Sequence, residues 1–351
     1  MTMKPLLYDY FPDELPEVLR PFGIQSFRIR QINEWLGKCV CSFDAMTNLA
    51  KKLRDDLSNQ FDLCAFTATA VLKSQLDDTR KYFFTLRDGE HIEAVLLHYH
   101  HGYSVCVSTQ AGCKMGCKFC ASAACGVGRN LSAGEILSEL VAITNDMRQD
   151  VPDFRIGHVV LMGIGEPLDN YDNVLRFLKL VMHPERFGIG ARNLSLSTCG
   201  LVPQIYKLAE ENIPLTLSVS LHAPTDELRD SLMPINHRYK LKELMQACRA
   251  YDAKTGRRIS FEYALMEGTN DSVECAEKLA KLVNSLPCHV NVIPVNEVPG
   301  APFRKVHEKQ RLLFTNTLEK CKINVTVRRT LGADIEAACG QLRRDEKSLD
   351  C

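Results

Sequence analysis

Cys113, Cys117 and Cys120 stand in a C-x3-C-x2-C pattern inside the stretch from Cys106 to Asn130, with Phe119 just before the last of them. Three thiolates on one short loop can hold three irons of a 4Fe-4S cubane and leave the fourth iron without a protein ligand. An open iron is a place for chemistry. A structural zinc knuckle and buried free cysteines are the competing readings of the triplet alone. Zinc sites usually close four ligands with paired C-x2-C units, and no second C-x2-C unit or suitably spaced Cys/His pair occurs in the chain.

Elements must hold such a loop in place. Beyond Tyr103 the pattern is strand, loop and helix, repeated, with strand-like runs at Ser104–Ser108, His158–Met162, Leu194–Thr198, Leu215–Leu221, Ile259–Leu265, His289–Ile293 and Asn324–Val327. Repeated βα units argue for a parallel sheet, and their number favours a complete or partial barrel over a short open sheet. Ser132 to Glu135 reads as a capping box ahead of the periodic Ile136, Leu140 and Ile143. The cysteine loop therefore joins the first strand to its helix, and in such barrels the loops at the carboxyl ends of strands form the active face. Polar groups gather at the later strand ends: Gly163-Ile164-Gly165-Glu166-Pro167, Ser197-Thr198-Cys199-Gly200, Ser220-Leu221-His222-Ala223-Pro224 and Pro294-Val295-Asn296. Any one alone reads as a turn. Together with an open iron they suggest a pocket for a polar, zwitterionic small molecule.

The front of the chain differs. Phe27 to Leu36 places Ile29, Ile32 and Leu36 on one helical face, and a second periodic segment runs from Phe43 to Phe61. Arg28, Arg30, Lys51, Lys52 and Arg54 can touch phosphates or simply form a solvated face, and Trp35 is expected in the core. From Thr67 to Tyr103, alternating runs at Ala68–Leu72, Lys81–Leu86 and Ile92–Leu97 predict a short β meander. Glu93 interrupts the last run, and the residues alone place it on a solvated strand face. His98, His100 and His101 read as an exposed loop or strand end and not as a metal site. The expected division is a helical accessory domain over 1–64, a β-rich connector over 65–98, an α/β partial-barrel domain over 99–345 and a tail over 346–351.

The chain has 351 residues, 45% hydrophobic and 25% charged, the composition of a globular protein able to bury a large core. Its fifteen cysteines are an odd number in a long chain, and the first residues lack an apolar signal core, so reduced thiols and a cytoplasmic location are expected. No apolar run approaches the roughly 18 to 20 residues of a membrane span. A formal net charge of zero neither supports nor excludes nucleic acid, because such partners are held by local patches.

The cysteine loop with Phe119 resembles the radical S-adenosylmethionine (SAM) superfamily. The fuller set resembles its RlmN/Cfr class of RNA methyltransferases: Gly163 to Leu168, Leu196-Ser197-Thr198, Ser220 to Pro224, Met233-Pro234-Ile235-Asn236 and Ala337 to Leu342. Pro167, the Ser220–Pro224 run, and Ile293 to Asn296 with Pro299 to Pro302 look more like the RlmN branch. The resemblance spans nearly the whole chain. It implies a radical SAM core, a 4Fe-4S cluster on Cys113, Cys117 and Cys120, and two SAM molecules per turnover. It further implies SAM contacts at Gly165, Glu166, Ser197, Ser220, Leu221, His222 and Asn296.

The implied reaction is methylation of C2 of an adenosine in the peptidyl-transferase centre of 23S rRNA, with tRNA as a further substrate in some members. C2 of adenine is electron-poor and will not displace a methyl group from a sulfonium, whereas a carbon radical can add to it. By the same resemblance, Cys339 is methylated and then carries the methylene radical. Cys106 forms a transient disulfide with Cys339 to release the RNA, and Glu93 accepts the C2 proton. Arg328, Arg329, Arg343 and Arg344 would suit phosphate contacts or a solvated surface. A reductant such as flavodoxin or ferredoxin and a monomeric state are expected. Two other readings stand beside this one: C8 methylation of the Cfr type, and a noncatalytic iron-sulfur RNA-binding protein. Cys125 and Cys199 depart from the family pattern as additional thiols, and Ile164 replaces the commoner Met.

Overall fold

The computed structural model describes residues 3–124, 126, 128–296 and 301–342. Cys125, Arg343, Arg344, part of the Pro299–Pro302 run and the expected tail lie outside the described residues. In chain order, α1 (Ser26–Gly37) and α2 (Lys51–Gln60) precede β1 (Phe66–Lys73), β2 (Arg80–Leu86), β3 (His91–Tyr99) and β4 (Gly102–Cys106). The alternating part follows: α3 (Ala133–Asp150), β5 (Ile156–Leu161), α4 (Tyr171–Met182), β6 (Leu194–Thr198), α5 (Val202–Glu210), β7 (Thr216–Ser220), α6 (Asp226–Leu232) and α7 (Leu241–Thr255). The chain continues through β8 (Ile259–Leu265), α8 (Val273–Val283), β9 (Cys288–Pro294), α9 (Glu308–Lys320) and β10 (Val325–Val327). No helix among the described residues is long and apolar enough to cross a membrane.

The ten strands form one sheet in sequential order, β1 to β10. β1 to β4 pair antiparallel as the alternation predicts, and every pair from β4 to β10 is parallel. Each parallel step is bridged by helix, because parallel strands need a crossover. The sheet is open. It nonetheless curls enough for Val95 and Leu97 of β3, Cys106 of β4 and Arg328 just after β10 to line a common cavity. Residues 65–98, expected as a connector, supply β1 to β3 and continue the same sheet, with Val95 of β3 facing Cys106 of β4. β3 is buried from Ile92 to Leu97, so Glu93 is enclosed and the solvated placement read from the residues alone is overturned.

The capping box at α3 is formed, with the Ser132 side chain accepting from the Glu135 amide and the Glu135 carboxylate from the Ser132 amide. Asp9 from the amino-terminal module adds its carboxylate to the Gly134 amide at 2.5 Å, where the helix dipole favours negative charge. Asn145 of α3 donates to the Cys39 carbonyl at 2.7 Å, tying the other end of the helix to the same module.

The periodic segment expected from Phe43 to Phe61 is instead a 3-10 turn, Phe43–Ala45, and the separate α2. The break is held open by Asn48, whose side chain accepts from Trp35 Nε1 at 2.7 Å and whose carbonyl accepts from Arg28 at 2.8 Å. Trp35 is half-buried against the core, while Arg28 and Arg54 are turned onto Asn48 and Asp44. His98 pairs with Asp78 and stacks on Tyr103.

Candidate active site

The loop after β4 is fixed along its length by backbone hydrogen bonds. Ala111 donates to Arg129, Lys118 to Leu232 at the end of α6, and Ala121 to Gly340 in the loop that carries Cys339, at 2.9, 3.0 and 2.8 Å. This fastening places Cys113, Cys117 and Cys120 on the wall of one open cavity of about 970 Å³ at the carboxyl ends of the parallel strands. Gly163 and Gly165 allow the neighbouring strand end to close against it. A Cβ on Gly163 would lie 2.6 Å from the Val107 carbonyl oxygen, and Gly165, at φ +110°, would meet Gln110 at 2.7 Å.

Burial, the largest influence, pushes the Cys113 thiol up to about 12, and the nearby Cys120 adds to it; Cys117 is raised as well, by burial and then by Cys120 and Cys113. Thiolates that disfavour one another in a partly buried site fit a polycationic centre, whose binding displaces their protons. The donor set therefore suits a three-ligand iron-sulfur cluster.

The remaining walls come from four strand ends. Glu166 lies almost wholly buried, with one oxygen accepting from the Cys199 amide at 2.7 Å and the other from Leu168 at 3.1 Å. Its carboxyl is raised by burial, against which the Cys199 amide, the Thr198 and Cys199 side chains and the Leu168 amide work. Glu166 lines the cavity, where a ligand amine or hydroxyl would meet its carboxylate. Ser197, Ser220 and Asn296 line the same cavity, but the Leu221 side chain is in the core, so only its backbone is available there.

His222 holds a left-handed backbone, φ +55°. Its Nδ1 accepts from the Ala264 amide at 2.8 Å, and burial, with Arg229 adding, pushes its pKa down to about 3. The ring is therefore neutral with its proton on Nε2, a donor toward a ligand and not a base. Cys199 is a buried thiol raised by its surroundings, and its amide serves Glu166.

Below this floor is a residue that the motifs did not single out. Arg229 is fully buried and donates to the carbonyls of Leu221, Cys199 and Ser220 and to Asn236 Oδ1, at 3.1, 2.6, 3.0 and 3.0 Å. It fastens two cavity-forming strand ends to the Met233–Asn236 turn. Arg229→Leu should leave these acceptors without donors and cost about 4 kcal/mol. Urea unfolding at unchanged m-value measures this, and a loss below about 1 kcal/mol would refute the role.

A second, narrower pocket of about 540 Å³ adjoins the first. Cys106 and Cys339 both line it, and Met162, Ile293, Asn296, Arg328 and Cys339 belong to both pockets. Cys339 thus stands where the two meet. Asn296 donates to its carbonyl at 3.1 Å, fixing the loop. Cys106 is pushed up to about 12, chiefly by burial and then by Cys339, with Arg328 opposing. Arg328 itself is raised by the Cys339 thiol first, with Glu262, Tyr99 and Cys106 adding and burial opposing. Its guanidinium faces the interior, where Nη1 lies 3.8 Å from Met162 Sδ. The expectation of a phosphate contact at Arg328 is therefore corrected, whereas Arg329 beside it is exposed. Glu262, held by Ser260 and Asn291 at 2.9 and 2.7 Å, also lines the larger cavity. Its only sequence signal was a carboxylate inside an apolar strand.

The fold and a three-cysteine loop at its carboxyl face define a radical SAM protein, and residues 107–283 match the Radical SAM superfamily model. Residues 7–63 match the ribosomal RNA large subunit methyltransferase N-terminal domain. The chain is 48% identical over 348 residues to a probable dual-specificity RNA methyltransferase RlmN of Lysinibacillus sphaericus, covering 99% of this chain and 91% of that one. It is also 48% identical over 347 residues to the corresponding Bacillus subtilis protein, covering 99% and 95%. The crystal structure of a radical SAM methyltransferase from Sphaerobacter thermophilus superposes with a TM-score of 0.94 at 43% identity, covering 97% of this chain and all of that one. The chain belongs to the RlmN family of radical SAM RNA methyltransferases.

Proposed function

We propose that this enzyme methylates C2 of an adenosine in 23S rRNA, and the adenosine next to the anticodon in tRNA, with Cys339 carrying the transferred carbon. The observation that supports this reading most is the position of Cys339 at the junction of the cysteine-loop cavity and the pocket holding Cys106. One sulfur can then serve both the radical-forming side and the release side. The cluster and SAM, when bound, supply the methyl group and a deoxyadenosyl radical. Cys113, Cys117 and Cys120 would hold the cluster. Gly165, Glu166, Ser197, Ser220, Asn296, the His222 ring and the Leu221 backbone would hold SAM.

The protein's own residues do the rest. Cys339 bears the methyl carbon and presents it to C2. Glu93 takes the C2 proton, and the unpaired electron left after the methylene radical adds would pass to the cluster, restoring a closed-shell ring. Cys106 attacks the Cys339 sulfur, the S–S bond forms, and the S–CH2 bond breaks with its electron pair passing to carbon, which is protonated to a methyl group. Electrons from a flavodoxin- or ferredoxin-type donor reset the disulfide and the cluster. The base reaches Cys339 only when unstacked, so the RNA is bound by shape around a splayed adenosine. We further place the chain in the cytoplasm as a monomer.

Anaerobic turnover with SAM bearing a fully deuterated methyl group, followed by nucleoside analysis of rRNA and tRNA fragments, tests the scheme. The expected product is C2-methyladenosine with two deuterium atoms in the methyl group, because one is lost to the radical. Three deuterium atoms would mean direct transfer and overturn the scheme; a C8 product would place the site in the other branch. Absence of SAM cleavage would favour a noncatalytic protein.

A further inference from the structure

Lys81 is the second residue of β2, just before Tyr82, Phe83 and Phe84, and is as buried as they are. Its Nζ is 3.3 Å from Glu93 Oε1, and the two side chains are 2% and 0% exposed. Register explains the meeting. Lys81 faces Val95 on β3, and Val95 faces Cys106 on β4. Glu93, two residues from Val95, projects from the same face of the sheet, the face on which Val95 and Cys106 line the pocket with Cys339. The Glu93 carbonyl accepts from Ser108 Oγ at 2.6 Å, which places Glu93 beside the carboxyl end of β4, at the reacting end of the sheet.

A carboxylate taken out of water alone reverts to the neutral acid, which has no capacity to accept a proton. An ammonium group at ion-pair distance favours the charged form. Stability gives little reason for such a pair, since buried ion pairs are commonly no better than apolar side chains of similar volume. A lysine enclosed beside Tyr82, Phe83 and Phe84 calls for a functional account.

We propose that Lys81 is a positioning residue for the C2 proton transfer, holding Glu93 ionised on the sheet face that carries Cys106. The inference rests on Glu93 being the proton acceptor. In the step concerned, the C2–H bond breaks, its electron pair stays with the adenine ring, and the proton moves to a Glu93 oxygen. Lys81 exchanges no proton in this step.

Single-turnover methylation of RNA carrying either hydrogen or deuterium at C2 of the target adenosine tests this in the reconstituted holoenzyme. Lys81→Met should slow product formation about a hundredfold and give a larger C2 isotope effect than the parent enzyme, because proton removal becomes the slow step. Lys81→Arg, which keeps the charge, should restore most of the rate. The double variant Lys81→Met/Glu93→Gln buries no lone charge and should be no slower than Glu93→Gln alone, since Lys81 acts only through Glu93. A parent-like rate in Lys81→Met, an unchanged isotope effect, or losses that add in full in the double variant would each overturn the proposal while leaving Glu93 as acceptor. A parent-like rate in Glu93→Gln would instead remove the reading on which it rests.

Discussion

Cys339→Ala should abolish RNA methylation while leaving the iron content of the enzyme intact. Cys339 is outside the cysteine loop and lines the shared cavity, so on the proposed scheme its loss removes the carrier of the carbon without removing a cluster ligand. Alanine has no sulfur to alkylate, and among the described residues no other thiol lines both pockets. Cys106 lines only the narrower pocket, and Cys199 is buried in the floor, where its amide holds Glu166. The expected methylated fraction is that of a blank reaction. The companion variant Cys106→Ala should behave differently, because the carbon still reaches C2 but the S–CH2 bond has no attacking thiolate. RNA should then stay joined to protein, visible as a slowly migrating species under denaturing conditions. Undiminished methylation in Cys339→Ala would dispose of the two-cysteine scheme.

Cys117→Ala has the other large effect, on the metal itself. Three ligands leave one open iron on a cubane, and Cys117 shares its cavity wall with Cys113 and Cys120. Reconstituted protein should lose most of its iron and its broad iron-sulfur absorbance, and with them both SAM cleavage and methylation. The fold should survive, because the loop is held by backbone bonds at Ala111, Lys118, Cys120 and Ala121 that do not use the thiol. Full iron content in this variant would move the cluster to other ligands. The cost therefore falls on metal binding, in contrast to Arg229→Leu, whose cost falls on the floor of the cavity.

Much of this was legible in the chain itself. The parallel strands from β4 to β10 were marked by apolar runs with helices between them, and the start of α3 by Ser132 and Glu135. These are local signals, set by backbone period and by side chains reaching nearby amides. The cysteine loop and the polar strand ends were legible for a related reason: in such a sheet all carboxyl ends meet on one face.

Other features depended on registers and distances that no local pattern carries. Glu93 read alone as a solvated residue, because alternation cannot tell a strand exposed on one face from one buried on both. Only its pairing between β2 and β4 encloses it and brings Lys81 to its side. Arg328 read as a surface cation, yet the curl of the sheet turns it onto Cys339. Arg229 looked like one charge among several in a short helix, and becomes the support of the cavity floor through carbonyls from strands far away in sequence. The sequence by itself determined the order of elements and the ligand loop, because those follow from short-range periodicity and spacing. The tertiary structure alone decided which charges are buried together and which cysteines share a pocket, since desolvation and proximity belong to the assembled sheet and to no segment of it.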